Sequence, residues 1–461
     1  MAVAAWREWA RLLPRPGRSC TVGAPADPAD AAVRAATSGG DCDGEYVVYE
    51  RAGTWYVALA PAASLTVGAT RVVARAAGRS WQVPLAGCPL AVVADALAAL
   101  PHGEWRAYGW AGFGLGHVLH GDPRDVGTAP LLHLLLPATE VELTPGRALV
   151  RTAGDPRAAD RIAAALRQPA PAAVPLLTDP EALMRRSPEA YRRAVARTVR
   201  DIRAGRLRKA VISRTVLLPS GARPDLAAGY LAGRRANTPA RSYLLRAGGW
   251  RAAGFSPETV LEVMPDGRVC TQPLAGTRAL GADPGRNRLL REELLADAKE
   301  VHEHALSVQL AVHELAGVCR PGSVRVEEFL TVRERGSVQH LASRVAGRLR
   351  DELGAWSAFA ALFPAVTVSG VPKSAALRAI GRHESEPRGL YGGAVFTADA
   401  DGSLDAALVL RTVFQHGGRT WLRAGAGVVD RSTPEREWEE TCEKLRSVAP
   451  HLRRRRVLAA P

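Results

Sequence analysis

Two segments of the chain each carry a pair of glutamates three residues apart. Glu300 and Glu303 stand in one predicted helix, and Glu437 and Glu440 stand in another. A spacing of i, i+3 puts both carboxylates of a pair on one helix face, so two such helices can bring four oxygen donors together. Mg²⁺ prefers hard oxygen ligands and keeps some of its waters for an anionic substrate. The pattern fits a magnesium site, and it also fits two solvated acidic helix faces.

The histidines near the first pair do not indicate a zinc site. His302 and His304 flank Glu303, but two residues apart on a helix they point about 200° from each other and cannot share an ion. His313 and Glu314 do not complete an HExxH motif either. Zinc-dependent hydrolysis is therefore not expected.

A lysine and a further glutamate stand at the ends of predicted strands. Lys209 opens a strand directly after a helix that ends in glycine, and Glu258 lies in the turn Ser256-Pro257-Glu258 between two strands of the same meander. Two such groups facing one cavity can work as a base and an acid when their surroundings give each the right protonation state. The simpler alternative is an ion pair at the end of a sheet.

Arg411 is a candidate for binding an anion. In the predicted strand Asp405 to Phe414 it shares a face with apolar residues, so its guanidinium would emerge from an apolar surface. Such a charge needs an anionic partner, which is either a structural carboxylate or a substrate carboxylate held by the guanidinium fork. Lys444 lies four residues after Glu440 on one helix face, where a simple ion pair between the two is the alternative to a role in the site.

Two glycine-containing stretches place backbone N–H groups where an anion can approach closely. Pro273 to Arg278 and Arg423 to Gly427 both stand at the ends of predicted strands, and small residues leave room for a ligand there. A third cluster, Gly112 to Gly116, does not predict a dinucleotide site. His117 stands where the GxGxxG motif needs its last glycine, and no clear helix follows.

The elements that must position these residues come in strand-rich and helix-rich stretches. Ser187 and Pro188 predict the start of a helix that ends at Gly205, and the segment 432–435 predicts the start of a last helix running to about Pro450. Helices are also expected from about residue 288 to residue 381. The predicted strands are Tyr46 to Leu59, Gly68 to Val83, Glu104 to Trp110, Leu131 to Leu136, Lys209 to Leu217, Arg241 to Ala247, Trp250 to Phe255, Thr259 to Met264, Arg268 to Leu274 and a second meander from Leu390 to Val429. Without alternating βαβ units, this order predicts an α+β fold with large, mostly antiparallel sheets and helices packed outside.

The composition of the 461 residues is that of an ordinary globular enzyme. Apolar residues make up 47% and charged residues 23%, which excludes a disordered, collagen-like or disulfide-scaffold protein. No run approaches 18 apolar residues, and Arg7, Glu8 and Arg11 stand where a signal peptide needs an apolar stretch. We therefore expect a cytoplasmic protein without a membrane segment. The six cysteines form no CxxC pair, so neither a zinc site nor a disulfide framework is expected.

The charge of +15 is weak evidence for nucleic-acid binding. Only four of the 61 basic residues are lysine, and this skew indicates a coding bias toward arginine more than a surface selected for phosphate contacts. An Arg-rich binding protein, supported only by the charge and by Arg453 to Arg456, is the non-enzymatic alternative. The lysines that remain are of interest, because a site that needs a compact or deprotonatable amine cannot use arginine.

Ten segments between Lys209 and Lys444 carry a resemblance to a known family, and they follow one another in the same order as the motifs of that family. They are KAVISR (209–214), FSPE (255–258), PLAGTRALG (273–281), KEVHEH (299–304), RERGSVQHL (333–341), FPAVTVSGVPK (363–373), RGLYGGAV (388–395), DAALVLRT (405–412), RAGAGVV (423–429) and PEREWEETCEK (434–444). Together they resemble the chorismate-utilising enzymes, which include the anthranilate, isochorismate and salicylate synthases. Looser similarity at 46–56 and 105–113 extends the resemblance toward the N-terminus. It implies the chorismate-binding fold as one elaborated domain, with an N-terminal α/β part at 1–178 and a catalytic core at 179–461.

Position 209 separates two chemistries within this family. Members that resemble anthranilate synthase have glutamine there and use ammonia from a glutaminase partner, whereas members that add water have lysine. Lys209 therefore implies water addition to chorismate, and no glutaminase subunit is expected. The segments RERGSVQHL and FPAVTVSGVPK are most similar to members that make salicylate for siderophore assembly. The implied activity is Mg²⁺-dependent conversion of chorismate through isochorismate to salicylate and pyruvate, with an enzyme that stops at isochorismate as the alternative.

The resemblance also implies roles for individual residues. Lys209 would activate the water and Glu258 would protonate the departing hydroxyl. The magnesium ion would be held chiefly by Glu303 and Glu440, with support from Glu300 and Glu437. The implied substrate contacts are Gly276 and Thr277 beside the ring carboxylate, Arg411 and Tyr391 on the enolpyruvyl carboxylate, the backbone around Gly425, Ala426 and Gly427, Lys444 near the ring carboxylate or the metal, and His340 and Thr367 in shaping roles. A monomer is expected, and neither Lys299 nor Lys373 receives a role.

Overall fold

The structure, a computed structural model, describes residues 2–14, 17, 19–38, 44–101, 103, 105–121, 126–155, 157–168, 173–176, 179–219, 222 and 224–455. Within these residues the helices are α1 Ala2–Arg11, α2 Pro28–Thr37, α3 Pro89–Ala98, α4 Leu115–His120, α5 Ala158–Arg167, α6 Pro180–Met184, α7 Pro188–Arg203, α8 Leu226–Ala236, α9 Pro284–Ala296, α10 Ala298–Ala316, α11 Ala355–Leu362, α12 Lys373–His383 and α13 Pro434–Leu445. The strands are β1 Ser19–Gly23, β2 Tyr46–Arg51, β3 Thr54–Val67, β4 Arg71–Ala76, β5 Arg79–Pro84, β6 Arg106–Ala111, β7 Leu132–Thr144, β8 Arg147–Thr152, β9 Ala173–Pro175, β10 Lys209–Leu217, β11 Arg241–Ala247, β12 Trp250–Ser256, β13 Thr259–Val263, β14 Arg268–Thr271, β15 Leu274–Ala279, β16 Arg325–Arg335, β17 Val338–Arg348, β18 Gly370–Val371, β19 Ala394–Asp399, β20 Leu404–Leu408, β21 Thr412–His416, β22 Arg419–Val428 and β23 Arg453–Arg455.

Most of the strands form one continuous antiparallel sheet. Its main path of hydrogen-bonded neighbours runs β18, β10, β22, β21, β12, β11, β2, β3, β7, β6, β19, β20, β13, β14, β17 and β16. Strands β8 and β1 extend it from β7, β4 and β5 extend it from β3, and β15 pairs with β17. In the described part of the chain, only the short pair of β9 and β23 lies outside this sheet. The predicted α+β class with large antiparallel sheets is confirmed.

The sheet runs through both parts of the chain. Strand β2 pairs with β11, and β6 pairs with β19, so residues before 178 are hydrogen-bonded to residues of the C-terminal part. The division of the fold into an N-terminal part at 1–178 and a catalytic core at 179–461 stays a prediction.

Alternate residues of the strands face two different apolar layers. Along β19, Val395 joins an aromatic interior that contains Tyr49 and Trp110, whereas Ala394 and Phe396 join a second layer to which the helices contribute. This alternation is what the period of two in a strand requires. Helix α7 buries one apolar stripe in the second layer, as its sequence predicts.

Residues 325–348 do not follow the prediction of a helical region. They form the hairpin of β16 and β17, and Gly336 at φ +61° provides the left-handed backbone of its turn. Every residue of β17 from Val338 to Ser343 is buried. A strand buried on both faces lacks the alternation of apolar and polar residues that identifies a half-exposed strand, so the sequence pattern was misleading.

Two predicted strands are interrupted. The stretch Asp405 to Phe414 ends as β20 at Leu408 and resumes as β21 at Thr412. Arg411 lies in the break at φ +48°, so the prediction that it shares one strand face with its apolar neighbours is wrong. The stretch predicted from Arg268 to Leu274 likewise ends at Thr271 and resumes at Leu274, beyond Pro273, which has no N–H to donate to a ladder.

Three smaller expectations have different outcomes. Helix α4 begins at Leu115, within the glycine cluster, contrary to the expectation that no helix is found there, and it has only six residues. No helix among the described residues is long and apolar enough to cross a membrane. The five cysteines in the described part are free thiols, and Cys42 lies outside it.

Candidate active site

A cleft of about 720 Å³ lies where β10, β15 and β22 meet α10 and α13. Most of the predicted site residues line it, namely Glu258, Gly276, Thr277, Glu303, His340, Thr367, Tyr391, Arg411, Gly425, Gly427, Glu440 and Lys444. Lys209, Ala426, Glu300 and Glu437 are not among the lining residues. The structure thus brings together residues that are spread from β10 to α13 along the chain.

Lys209 is the first residue of β10 and is fully buried. Its Nζ donates a hydrogen bond of 2.8 Å to Ser307 Oγ and lies 3.1 Å from Glu303 Oε1. Because Glu303 lines the cleft, the amine sits directly behind the cleft wall. Gly205, at φ +73°, ends helix α7 and turns the chain toward this strand.

Glu258 lies in the turn between β12 and β13, where the solvent-accessible fraction of the residue is 2%. Its Oε1 accepts a hydrogen bond from the Thr367 hydroxyl, and its Oε2 accepts one of 2.6 Å from the backbone N–H of Leu274. Burial raises the pKa of Glu258 to about 7, although both hydrogen bonds and the charges of Lys209 and Lys444 oppose the rise. A carboxyl group with this pKa can be protonated at neutral pH and serve as a general acid.

The four predicted metal ligands lie on α10 and α13, as their spacing required. Asp297 caps the first helix by accepting hydrogen bonds from Lys299 and Glu300 N–H, and Thr433 caps the second. These caps fix where the two helices begin, and therefore which carboxylates face each other. Each of Glu300, Glu303, Glu437 and Glu440 is almost completely buried.

Lysines separate these carboxylates. Lys299 Nζ lies 3.0 Å from Glu437 Oε1 and 3.1 Å from Glu300 Oε1. Burial opposes the charge of Lys299, but the surrounding glutamates raise its pKa. Burial raises the pKa of Glu437, whereas the charges of Lys444 and Lys299 outweigh burial at Glu440 and lower its pKa.

The residues present fit a hard divalent cation. All four side chains offer carboxylate oxygens, and Glu437 is fully buried. Gly427 leaves room for the Glu303 carboxylate, since a Cβ at position 427 would stand 1.9 Å from Glu303 Oε1. Within the described residues, however, no three such side chains are drawn together closely enough to hold an ion. The predicted magnesium site therefore stays a prediction.

Arg411 projects its guanidinium into the cleft without a carboxylate partner. Its Nη1 donates a hydrogen bond of 2.6 Å to Arg335 O, and its Nη2 donates to His340 Nε2. Among the residues that the structure describes, the carboxylate that acts on its charge is Glu258, and the two do not form an ion pair. Burial and the neighbouring Arg335 lower the pKa of Arg411. An unpaired buried cation of this kind is a ready site for an anionic ligand.

His340 links Arg411 to strand β15. Its Nδ1 lies 3.0 Å from Thr277 Oγ1 and 3.3 Å from Gly276 O, and its Nε2 accepts the hydrogen bond from Arg411. Burial and the Arg411 charge lower the pKa of His340 well below its ordinary value. The ring is therefore neutral, with its proton on Nδ1.

Tyr391 is held between two arginines. The guanidinium carbons of Arg388 and Arg423 each lie 5.6 Å from its ring centroid. Glu384 accepts hydrogen bonds from both arginines and from Ser213 N–H, which fixes their positions. Arg423 also lines the cleft, and the sequence analysis gave it no role.

The small residues of β15 and β22 have different functions. Gly276 requires its glycine for φ +83°, and Gly425 has no room for a side chain because a Cβ would approach Tyr391 Oη to 2.9 Å. Ala426 was predicted to contact the substrate through its backbone. It lies on β22 between Gly425 and Gly427, but it does not line the cleft. A strand turns successive side chains to opposite faces, which accounts for the difference between Ala426 and Gly427.

All four lysines of the chain form ion pairs with glutamates. The pairs and their shortest separations are Lys209 with Glu303 at 3.1 Å, Lys299 with Glu437 at 3.0 Å, Lys373 with Glu314 at 2.7 Å and Lys444 with Glu440 at 2.7 Å. Lys444 also donates a hydrogen bond of 2.9 Å to Gly425 O, on the cleft wall. Lys373 donates to Ala361 O and Leu362 O at the end of α11, away from the cleft. Its role is therefore structural.

Sequence reasoning missed several contacts of the site. Ser307 had a signal, since it lies four residues after Glu303 on the same face of α10. The Leu274 N–H belongs to the stretch Pro273 to Arg278, which was predicted to offer N–H groups to an anion, and here the anion is the Glu258 carboxylate. The Arg335 carbonyl had no signal. Lys299 was noticed only as a scarce residue, and its position between the two carboxylate helices depends on how those helices pack.

The sequence matches known proteins over most of its length. Residues 45–450 match the family described as chorismate binding enzyme. A salicylate synthase of Mycolicibacterium paratuberculosis is 42% identical over 435 residues, which cover 92% of this chain and 94% of that protein. An anthranilate synthase component 1 of Haloferax volcanii is 41% identical over 272 residues, which cover 58% of this chain and 51% of that protein.

Solved structures share the fold over most of the chain. The anthranilate synthase component I of Streptococcus pneumoniae superposes with a TM-score of 0.68 at 25% identity, covering 87% of this chain and 93% of that one. The menaquinone-specific isochorismate synthase of Escherichia coli gives 0.69 at 22% identity, covering 97% and 100%. The resemblance carried by the ten sequence segments is confirmed, and the chain belongs to the family of chorismate-binding enzymes.

Proposed function

We propose that the protein is a Mg²⁺-dependent salicylate synthase that converts chorismate through isochorismate to salicylate and pyruvate. The similarity to the mycobacterial salicylate synthase over almost the whole chain supports this reaction. The observation that carries the proposal is the pair of Lys209 and Glu258. Lys209 is fully buried directly behind the cleft wall, and Glu258 lies on that wall. A role in siderophore or related secondary-metabolite synthesis and a place in the cytoplasm belong to the same proposal.

The first step adds water to the ring. Lys209 takes a proton from a water that attacks C2 of chorismate, while Glu258 protonates the C4 hydroxyl as it departs as water. The product is isochorismate, so the atoms of the substrate are conserved. The pKa of about 7 suits Glu258 to the acid role, because its protonated form is well populated at neutral pH.

The substrate carboxylates set the pose of the ring. Arg411 and Tyr391 hold the enolpyruvyl carboxylate, and the guanidinium supplies the charge that no protein carboxylate neutralises. Gly276, Thr277 and Lys444 face the ring carboxylate. Holding both ends aligns C2 with the attacking water, and such alignment contributes a large part of the rate enhancement.

The metal would be held by Glu303 and Glu440, with Glu300 and Glu437 beside them. When bound, Mg²⁺ supplies positive charge that neutralises the ring carboxylate. The protein contributes four buried carboxylates, two of which line the cleft, and the neighbouring lysines reduce their mutual repulsion.

The second step needs no further base. Isochorismate transfers its C2 hydrogen to the methylene carbon of the enolpyruvyl group as the C–O bond breaks, which releases pyruvate and leaves the aromatic ring of salicylate. The protein holds the side arm folded over the ring, and the neutral His340 with Thr277 shapes the wall there. Because Lys209 activates water, the reaction uses no glutaminase subunit.

A product assay tests the proposal. Purified protein is incubated with chorismate and Mg²⁺, and the products are separated by chromatography with pyruvate measured enzymatically. We expect salicylate and pyruvate in equal amounts. Isochorismate alone supports the second candidate, an isochorismate synthase, which is favoured by the fold shared with enzymes of that activity. An aminated product that depends on ammonium contradicts the role given to Lys209.

A further inference from the structure

The ammonium group of Lys299 lies between the two carboxylate helices. Lys299 belongs to the first turn of α10, and its Nζ is 3.1 Å from Glu300 Oε1 on its own helix and 3.0 Å from Glu437 Oε1 on α13. One cation therefore bridges one carboxylate from each of the two glutamate pairs.

The charges around the cluster show why a cation is needed there. Glu303 and Glu440 each have a lysine of their own, Lys209 and Lys444. Glu437 is fully buried, and the ammonium group of Lys299, 3.0 Å from its Oε1, is its ion-pair partner. Without a cation at this point, a buried carboxylate would be left uncompensated.

The side chain of Lys299 also borders an opening to solvent beside the four carboxylates. Lys299, Glu300 and Glu437 line a second opening of about 890 Å³ beside the substrate cleft, together with exposed residues such as Arg431. The side chain of Lys299 retains 13% of its accessible surface, whereas Lys209 has none. The four-carbon stem of lysine is flexible, so the ammonium can withdraw into this opening without crossing the substrate cleft.

We propose that Lys299 balances the charge of Glu300 and Glu437 in the metal-free protein and withdraws from them when the divalent cation binds. The proposal rests on the metal site of the proposed function. It accounts for two observations that otherwise conflict, namely four buried carboxylates on facing helices and no three of them, among the described residues, close enough to hold an ion. Metal binding is then an exchange of one cation for another, and Lys299 lowers the affinity while it keeps the empty site assembled.

Mn²⁺ binding to the full-length protein tests the exchange. The free Mn²⁺ is counted by electron paramagnetic resonance in titrations of the wild type, Lys299→Met and Arg431→Met. Arg431→Met is the matched control, because it removes a positive charge from the same opening at an exposed position. We expect Lys299→Met to bind Mn²⁺ at least about tenfold more tightly than wild type, which is about 1.4 kcal/mol. The control should change the affinity much less.

Thermal unfolding gives a second readout that does not depend on activity. Lys299→Met should unfold at a lower temperature than wild type without metal, and saturating Mn²⁺ should recover a larger part of its stability than in wild type. Weaker Mn²⁺ binding by Lys299→Met would overturn the proposal, because it would make the lysine a support of the site. Equal tightening in the two variants would also overturn it, since only the general charge would then matter. If no protein binds Mn²⁺ while the wild type still converts chorismate, the exchange is wrong and the proposed reaction stands.

Discussion

The Thr367 hydroxyl donates a hydrogen bond to Oε1 of Glu258 on the wall of the cleft. The two residues are far apart in the chain, and Thr367 is brought to Glu258 by the segment that precedes β18. The contact orients the carboxyl group and lowers its pKa against the larger effect of burial. Two predictions follow from this pair.

The protonated form of Glu258 should limit the rate at high pH. Burial raises its pKa to about 7, and a general acid acts only when protonated. We therefore expect the ratio of the wild-type kcat/KM for chorismate to that of Glu258→Gln, in which the requirement for a neutral Lys209 cancels, to be highest below about pH 7 and to fall about tenfold per pH unit above it. Glu258→Gln should lower the rate by about 10²- to 10⁴-fold and remove this limb. A descending limb that persists unchanged in Glu258→Gln would assign it to another group.

Removing the Thr367 hydroxyl should shift the same limb. Thr367→Val takes away a hydrogen bond that favours the charged carboxylate, so the pKa of Glu258 rises further. A hydrogen bond to a charged group contributes about 1.5–3 kcal/mol, so we expect the limb to move up by about one to two pH units. Thr367→Ser keeps the hydroxyl and should leave the limb in place. If both variants give the wild-type profile, Thr367 only fills space.

Arg411→Lys should weaken substrate binding. Both side chains are cations and both would adopt the same left-handed backbone at φ +48°, so the change tests the guanidinium fork alone. Loss of one charge-assisted hydrogen bond predicts a KM for chorismate raised by about 10- to 100-fold, with a smaller change in kcat. Arg419→Lys, on an exposed strand end, is the control and should leave KM unchanged. A wild-type KM in Arg411→Lys would mean that another group holds the carboxylate.

Lys373→Met should destabilise the fold without touching the cleft. The lysine is buried, pairs with Glu314 at 2.7 Å and caps the end of α11. Leaving Glu314 buried and unpaired should cost about 3–5 kcal/mol in the free energy of unfolding, measured by urea denaturation. The double variant with Glu314→Gln should recover part of this loss. A double variant less stable than Lys373→Met would show that the ion pair is not the source of the effect.

Local sequence patterns predicted most of the elements that hold the site. The bounds of β10 and β11 agree with the structure, and the i, i+3 spacing placed each glutamate pair on one face of α10 or α13. Turn and cap residues carry this information within a few positions, which is why it can be read locally. Most of the site residues implied by the family motifs also line the cleft.

The features that the sequence did not predict depend on contacts between segments that are distant in the chain. The hairpin of β16 and β17 was expected to be helical because β17 is buried on both faces. Arg411 was placed on a strand face, whereas the strand breaks before it and the backbone turns left-handed. The pairing of Lys299 with Glu437 and of Lys373 with Glu314 follows from helix packing, and no local pattern specifies it.

The most direct test of the account separates the two steps at Lys209. Lys209→Gln, supplied with chorismate and Mg²⁺, should form no isochorismate and no salicylate, because no side chain then activates the water. The same variant, supplied with isochorismate, should still release pyruvate and salicylate at a measurable fraction of the wild-type rate. Equal loss of both reactions in a folded variant would contradict a dedicated role of Lys209 in water activation.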